Sequence, residues 1–152
     1  MNISKAILVV DMQEDYLGVK GKYNLENKEL LVSNIKSKIK SYNGAVIYIK
    51  NIGRTNSSDV ISELKTKSGV IFHKERSSAF SNHELNKYLL AKKITEIEVV
   101  GIDGNDCVKT TSIDGIKNGY LVSIDLSCIG VINKIRFEKT LVKLKEYNVK
   151  IY

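Results

Sequence analysis

Short apolar runs alternate along this chain with longer stretches in which apolar residues return every three or four positions. Residues 6–10 (AILVV) are apolar without a break, as expected of a strand covered on both faces. Leu31, Ile35 and Ile39 recur at four-residue spacing and predict an amphipathic helix over about residues 27–42, stopped by Asn43-Gly44. Residues 45–49 (AVIYI) predict a second strand. The polar, glycine-containing stretch 51–58 predicts a loop, 59–65 a short helical piece, and 70–72 a short third strand. Leu85, Tyr88 and Leu89 mark a helix that Ser81-Asn82 is suited to cap. A fourth strand is expected at 94–100, then the turn Gly101-Ile102-Asp103-Gly104-Asn105-Asp106. A helix from Val108 to about Asn118, burying Val108, Ser112 and Ile116, ends at Gly119. Residues 120–125 predict a fifth strand and 127–130 a loop. A last helix carries Phe137, Leu141 and Leu144, and 149–151 a sixth short strand.

Repeated strand–helix units with right-handed crossovers imply an α/β fold. The expected architecture is three layers, α/β/α, with a mainly parallel, Rossmann-like central sheet of about six strands, as one domain over residues 1–152. A chain of this length buries about 70% of its unfolded surface. Its 43% hydrophobic and 27% charged residues are ordinary globular values. No apolar run approaches the ~20 residues of a membrane span, and residues 1–10 lack a signal-peptide cleavage pattern. Two cysteines, Cys107 and Cys128, make no disulfide framework for a domain of this size. The expectation is a cytoplasmic, reduced protein.

A formal net charge of +7 permits binding to a polyanion. The lysines, however, are spread over predicted helices and interleaved with glutamates, as at 36–40, 87–93 and 139–145, and no nucleic-acid motif accompanies them. They read as a solvated surface. The expected partner is a small-molecule substrate, with no nucleic acid and no membrane.

The chemically loaded stretch is 101–108, strand, tight turn, then helix, with Cys107 where the helix begins. Unpaired N–H groups and the helix dipole put positive charge there, which favours a thiolate. A buried cysteine acting as a small hydrophobe is an equal reading of this stretch alone. In a parallel sheet, ligands bind beyond the carboxyl ends of the strands. Asp11, Lys74 and Cys107 follow strands one, three and four, so a carboxylate, an ammonium and a thiol share that edge. Taken singly, Asp11 reads as a loop cap and Lys74 as a surface ammonium; it is the joint placement that points to chemistry.

Three segments, 8–16 (LVVDMQEDY), 73–80 (HKERSSAF) and 107–120 (CVKTTSIDGIKNGY), with 122–125 (VSID) behind them, carry a common pattern. Together they resemble the isochorismatase-like cysteine hydrolases, the group that includes nicotinamidases. Residues 8–16 (LVVDMQEDY) resemble the opening motif, and 73–80 (HKERSSAF) the second, a lysine followed by Ser-Ala-Phe. Residues 107–120 (CVKTTSIDGIKNGY) resemble the third, and 122–125 (VSID) the acidic strand end after it. The motifs fall in family order over nearly the whole chain. The resemblance implies the isochorismatase-like hydrolase fold and a catalytic triad of Asp11, Lys74 and Cys107. Lys74 and the helix N-terminus are expected to hold the thiol below its ordinary pKa of about 8.5. Asp11 would move the proton, and Cys107 would attack a carbonyl to form a thioester. Backbone donors of the turn, over Ile102, Asp103 and Cys107, would hold the oxyanion. The resemblance also implies a cis peptide between Ile102 and Asp103.

Two departures shape the expected chemistry. The nicotinamidase branch often carries metal ligands at Asp-x-His spacing after strand two, where this chain has Asn51-Ile52-Gly53-Arg54. His73 and His83 are its only histidines, so no metal and no cofactor are expected. Cys107 points away from vinyl-ether cleavage and toward hydrolysis of an amide, carbamoyl or ureide-like C–N bond. The turn has Asp103 where the family more often has a small residue, and Gly104 where it has Thr or Ser. A carboxylate at Asp103 disfavours a thiolate unless it is paired or turned away.

Gln13, Tyr16, Arg54 and Phe80 are the expected pocket residues, Phe80 fitting the core equally. Arg54 and Arg76 are candidates for holding a substrate carboxylate, although each fits a solvated surface as well. Besides the amidohydrolase, two other readings stay open. One is a catalytically silent ligand-binding module, and the other a thiol redox protein pairing Cys107 with Cys128. A homo-oligomer is expected, with exposed apolar residues of the last helix at its interface.

Overall fold

The computed structural model describes residues 4–18, 21, 23, 25–53, 58–67 and 69–152. In chain order the elements are β1 (Lys5–Val10), α1 (Glu14–Leu17), α2 (Lys28–Ser41), β2 (Ala45–Asn51), β3 (Val70–Lys74), α3 (His83–Ala91), β4 (Glu96–Ile102), α4 (Cys107–Lys117), β5 (Leu121–Ile124), β6 (Ile129–Gly130), α5 (Lys134–Glu146) and β7 (Lys150–Ile151). Single 3-10 turns stand at Ser62–Leu64, Ala79–Ser81 and Leu126–Cys128.

The strands form one sheet of seven in the order β3-β2-β1-β4-β5-β7, with β6 paired to the end of β4. All six strand pairings are parallel. The expected α/β sheet is present, with one strand more than the hydrophobic pattern predicts. The extra strand, β6, lies within the expected 127–130 loop. Two residues are too short to show any period.

Strand alternation sorts the core into two layers. Leu8, Val10, Ile97, Val99, Val122 and Ile124 face α3, α4 and α5, where Leu85, Leu89, Val108 and Leu144 meet them. Ile7, Val9, Val46, Val100 and Ile102 face α2, whose Leu31, Val32, Ile35 and Ile39 form the stripe read from the spacing. Asn82 accepts from Glu84 N–H and caps α3 as expected, and Asn133 does the same for α5 through Arg136 N–H. Glu98 interrupts the apolar α2 face of β4. It is held there by Lys38 Nζ at 2.6 Å, which also reaches Asp125 at 2.7 Å, and by the Tyr152 hydroxyl at 2.8 Å. Among the described residues no helix is long and apolar enough to cross a membrane.

Candidate active site

Three parallel strands deliver the three expected side chains to one spot. Asp11 leaves β1 with φ 55, a left-handed turn unusual for a non-glycine residue, and is anchored by its N–H on Ile49 O. Lys74 closes β3, where alternation turns His73 outward and the lysine inward to 2% exposure. Cys107 opens α4. Lys74 Nζ donates to Asp11 Oδ2 at 3.0 Å, to Cys107 Sγ at 3.4 Å and to Arg76 O at 3.1 Å. Three acceptors use all three ammonium hydrogens and lock its direction. The second carboxylate oxygen, Asp11 Oδ1, is buried and has no hydrogen-bond partner among the described residues. The Cys107 thiol lies within hydrogen-bonding reach of this carboxyl.

Burial sets the proton affinities. It raises the Asp11 carboxyl above the usual carboxylate range, with Lys74 opposing. It pushes the Cys107 thiol up to about 12; the Asp11 charge adds to this and Lys74 only partly offsets it. The expectation of a depressed thiol pKa is therefore overturned. Lys74 is already matched by Asp11, so the pair is close to neutral from the sulfur's position, and desolvation then decides.

The turn between β4 and α4 is tied down from below. The Ile102–Asp103 peptide is cis, as the resemblance implies. Gly104 N–H donates to Gly130 O, and Asn105 donates to Asn133 O while accepting from the Thr140 hydroxyl at 2.7 Å. A Cβ on Gly104 would come within 2.7–2.9 Å of Phe137, Ile129 and Val131 side chains. The space that a Thr or Ser would occupy is thus filled by α5 and β6, which accounts for the glycine. Asp103 Oδ1 accepts from Asn105 N–H. The turn carboxylate that acts on the thiol is Asp106, whose charge raises both Cys107 and Asp11. Asp106 does not cap α4 with its side chain; its Oδ1 accepts from the Ser77 hydroxyl at 2.8 Å. The N–H groups of Asp103 and Cys107 donate no hydrogen bond among the described residues, so both are free for an acceptor from outside.

A cavity of about 200 Å³ opens over the thiol. Asp11, Tyr16, Ile102, Asp103 and Cys107 line it, Tyr16 alone of these being an expected pocket residue, with Arg76 at its wall. Two expected pocket residues stand elsewhere. Gln13, 1% exposed, is a clamp: its amide donates to Asn51 O and Ser58 O and accepts from Asn51 N–H. A buried primary amide satisfies its own hydrogen bonds before it lines a pocket. Phe80 packs in the core against Tyr120, with ring centroids 6.0 Å apart. Arg54 lies outside the described residues.

Three contributors were not foreseen. Tyr23 stacks on Tyr16, centroids 5.2 Å apart, and lines the cavity. Asp106 and the Asn105–Thr140 link were also missed. Tyr23 sits in a polar stretch without periodicity, and Thr140 is far away in sequence, so neither carried a local signal. Cys128 packs on the α2 face of the sheet and Cys107 on the α4 face, so the sheet separates the two thiols. That arrangement opposes the redox pairing. As for a metal, Asn51 Oδ1 is taken by Gly53 N–H, His73 and His83 are exposed, and no group of three His, Cys, Asp or Glu among the described residues is placed to hold an ion. Among the described residues, the side chains near β2 do not make up such a set.

Comparison with known proteins adds the following. The family model described as the isochorismatase domain matches residues 5–151. The chain is 28% identical to the ureidoacrylate amidohydrolase RutB of Acinetobacter baylyi, over 81% of this chain and 69% of that protein. Among solved structures it resembles an isochorismatase-like hydrolase from Alkaliphilus metalliredigens, with TM-score 0.86 and 24% identity over 97% of this chain and 92% of that one. It also resembles PnC1 from L. infantum in complex with nicotinate, with TM-score 0.90 and 17% identity over 100% and 93%. At these identities the structural likeness speaks for the fold.

Proposed function

We propose a function for a chain that belongs to the isochorismatase family: it is a metal-independent amidohydrolase acting on a small, non-peptide amide, carbamoyl or ureide-like C–N bond. Asp11, Lys74 and Cys107 carry the reaction. The observation that carries the reading is the Lys74 ammonium between Asp11 and Cys107, beneath a cavity and beside the unpartnered Asp11 Oδ1. The RutB relative, an amidohydrolase by name, supports the reaction class.

The thiol proton passes to Asp11 while sulfur attacks the substrate carbonyl carbon. The ammonium of Lys74 stabilises the sulfur anion as the carboxylate is neutralised. Such an internal transfer loses no proton to solvent, so a thiol pKa near 12 in the resting protein is no obstacle to it. The developing oxyanion is received by the N–H groups of Cys107 and Asp103. Collapse breaks the C–N bond, Asp11 hands its proton to the leaving amine, and a thioester remains on Cys107. Asp11 then takes a proton from water, and the resulting attack releases the acid and restores the thiol.

The test is intact-mass analysis during turnover of small primary amides and carbamoyl compounds. A thioester adduct on Cys107, absent in Cys107→Ala, is expected. Undiminished turnover by Cys107→Ala would overturn the reading. A second reading, a catalytically silent ligand-binding member, draws on the resting thiol being held protonated. It forecasts ligand binding with no adduct. A homo-oligomer belongs to the leading reading, supported by Ile132, Ile135 and Val142 exposed on and before α5.

A further inference from the structure

One stripe of α5 faces the turn that leads into Cys107. Asn133, at its cap, and then Phe137 and Thr140 follow at four- and three-residue spacing, and each meets a residue of the turn. Phe137 closes the space beside Gly104. Asn133 O accepts from Asn105 Nδ2 at 2.9 Å, and the Thr140 hydroxyl donates to Asn105 Oδ1 at 2.7 Å. Asn105 and Thr140 are both buried, and the Asn105 amide has one fitting orientation there. A carbonyl oxygen only accepts, so Nδ2 must face Asn133 O, and Oδ1 is left for the single proton of the hydroxyl. Asn133 is itself fixed by the first turn of α5, its carbonyl accepting from Phe137 N–H and its side chain from Arg136 N–H. The N–H groups of Asp103 and Cys107 flank Gly104-Asn105-Asp106, so those three residues set whether the two donors converge on one oxygen. Gly104 N–H leans on Gly130 O, and Asp106 N–H returns to Asp103 O within the turn. The Asn105 side chain ties the middle of the turn to α5.

We propose that Thr140 is a positioning residue for the reaction: its hydroxyl, acting through the Asn105 amide, holds the turn so that the N–H groups of Asp103 and Cys107 converge on the oxyanion. The inference rests on the reading of those two groups as the oxyanion's donors. Thr140 lies beneath the turn, outside the lining of the cavity, and so acts only through Asn105. The full negative charge on oxygen develops only as sulfur attacks the carbonyl. A displaced turn therefore slows acylation and leaves the reactivity of the sulfur itself unchanged.

Two reactions of Cys107 separate these effects, each located by peptide mapping and measured at a common pH. Iodoacetamide alkylates the sulfur by displacement of iodide and forms no oxyanion. With p-nitrophenyl acetate the sulfur adds to the carbonyl through a tetrahedral oxyanion, the thiol proton passes to Asp11, p-nitrophenolate leaves and an acetyl thioester remains. Thr140→Val keeps the side-chain shape and removes the proton donor. Its acylation rate is expected to fall about 10–100-fold while alkylation stays within about twofold of the parent. Thr140→Ser keeps the hydroxyl and should bring acylation back to within about threefold of the parent. Asn105→Ala should slow acylation likewise, and Thr140→Val added to it should change little further, because groups that act through one another are not additive. Alkylation and acylation falling together in Thr140→Val, Thr140→Ser as slow as Thr140→Val, or losses that multiply in the double variant each overturn the proposal. Equal acylation of the parent and Thr140→Val overturns the proposal alone. A parent that is alkylated yet not acylated overturns it together with the amidohydrolase reading, so the two failures are told apart.

Discussion

Lys74 Nζ lies 3.4 Å from Cys107 Sγ, and the thiol is nonetheless pushed up to about 12. The lysine's charge is answered by Asp11 Oδ2 at 3.0 Å, so the sulfur faces an ion pair in place of a lone cation. The alkylation rate of Cys107 with iodoacetamide is accordingly expected to climb only above pH 9 in the resting protein. An inflection below about 8.5 would show that the thiol is poised as an anion.

Asp11→Asn separates acidity from catalysis. Removing the carboxylate charge takes away a cause of the raised thiol pKa, so the alkylation inflection moves down. The same change removes the proton carrier, so acylation by substrate falls by about 10²–10⁴-fold. Lys74→Met moves the inflection further up and also abolishes acylation. A lowered inflection with acylation undiminished in Asp11→Asn would argue against the carboxylate as base.

Stability carries the mark of the buried thiol at alkaline pH. The folded-state pKa of Cys107, about 12, lies well above the ordinary thiol value of about 8.5. Its contribution is therefore fully present below about pH 8.5 and is lost as pH rises toward 12. Urea midpoints measured from pH 8 to 11 should fall for the parent and fall less steeply for Cys107→Ala. Parallel curves would show that the thiol is not desolvated. Cys128, pushed up to about 11 by its own burial, contributes with the same sign, so the slope is reduced by the substitution and not abolished.

Gly104→Thr tests the packing beneath the turn. The added Cβ would meet Phe137, Ile129 and Val131, and overpacking of this kind costs about 1–3 kcal/mol. Phe137→Leu in the same chain should recover part of the loss, since the nearest contact is the Phe137 ring edge. Thermal melting of the single and double variants gives the comparison.

Metal removal is expected to leave activity intact. Dialysis against a strong chelator should change turnover by less than about twofold, in keeping with a donor set near β2 that offers no three suitable ligands among the described residues. Loss restored by zinc would overturn the metal-independent reading.

Much of this fold is legible in the hydrophobic pattern because both layers of the sheet are bought by strict alternation. The α2 stripe of Leu31, Ile35 and Ile39 and the all-apolar β1 are set by local chemistry, and they stand where the spacing puts them. Asp11, Lys74 and Cys107 could be shortlisted because a parallel sheet gathers the carboxyl ends of its strands on one edge. What the pattern misplaced were side chains whose surroundings depend on distant segments. Gln13 was drawn inward by Asn51 and Ser58, and Phe80 by Tyr120.

By itself, then, the sequence determined the layers, the parallel sheet and which three functional groups share its edge, because periodicity and strand ends are local properties. The tertiary structure alone decided that Asp11 matches the Lys74 charge, that Asp106 bears on the thiol, and that Phe137 fills the space above Gly104. Proton affinity and packing depend on burial and on neighbours far along the chain, and those distances exist only once the sheet has closed its core.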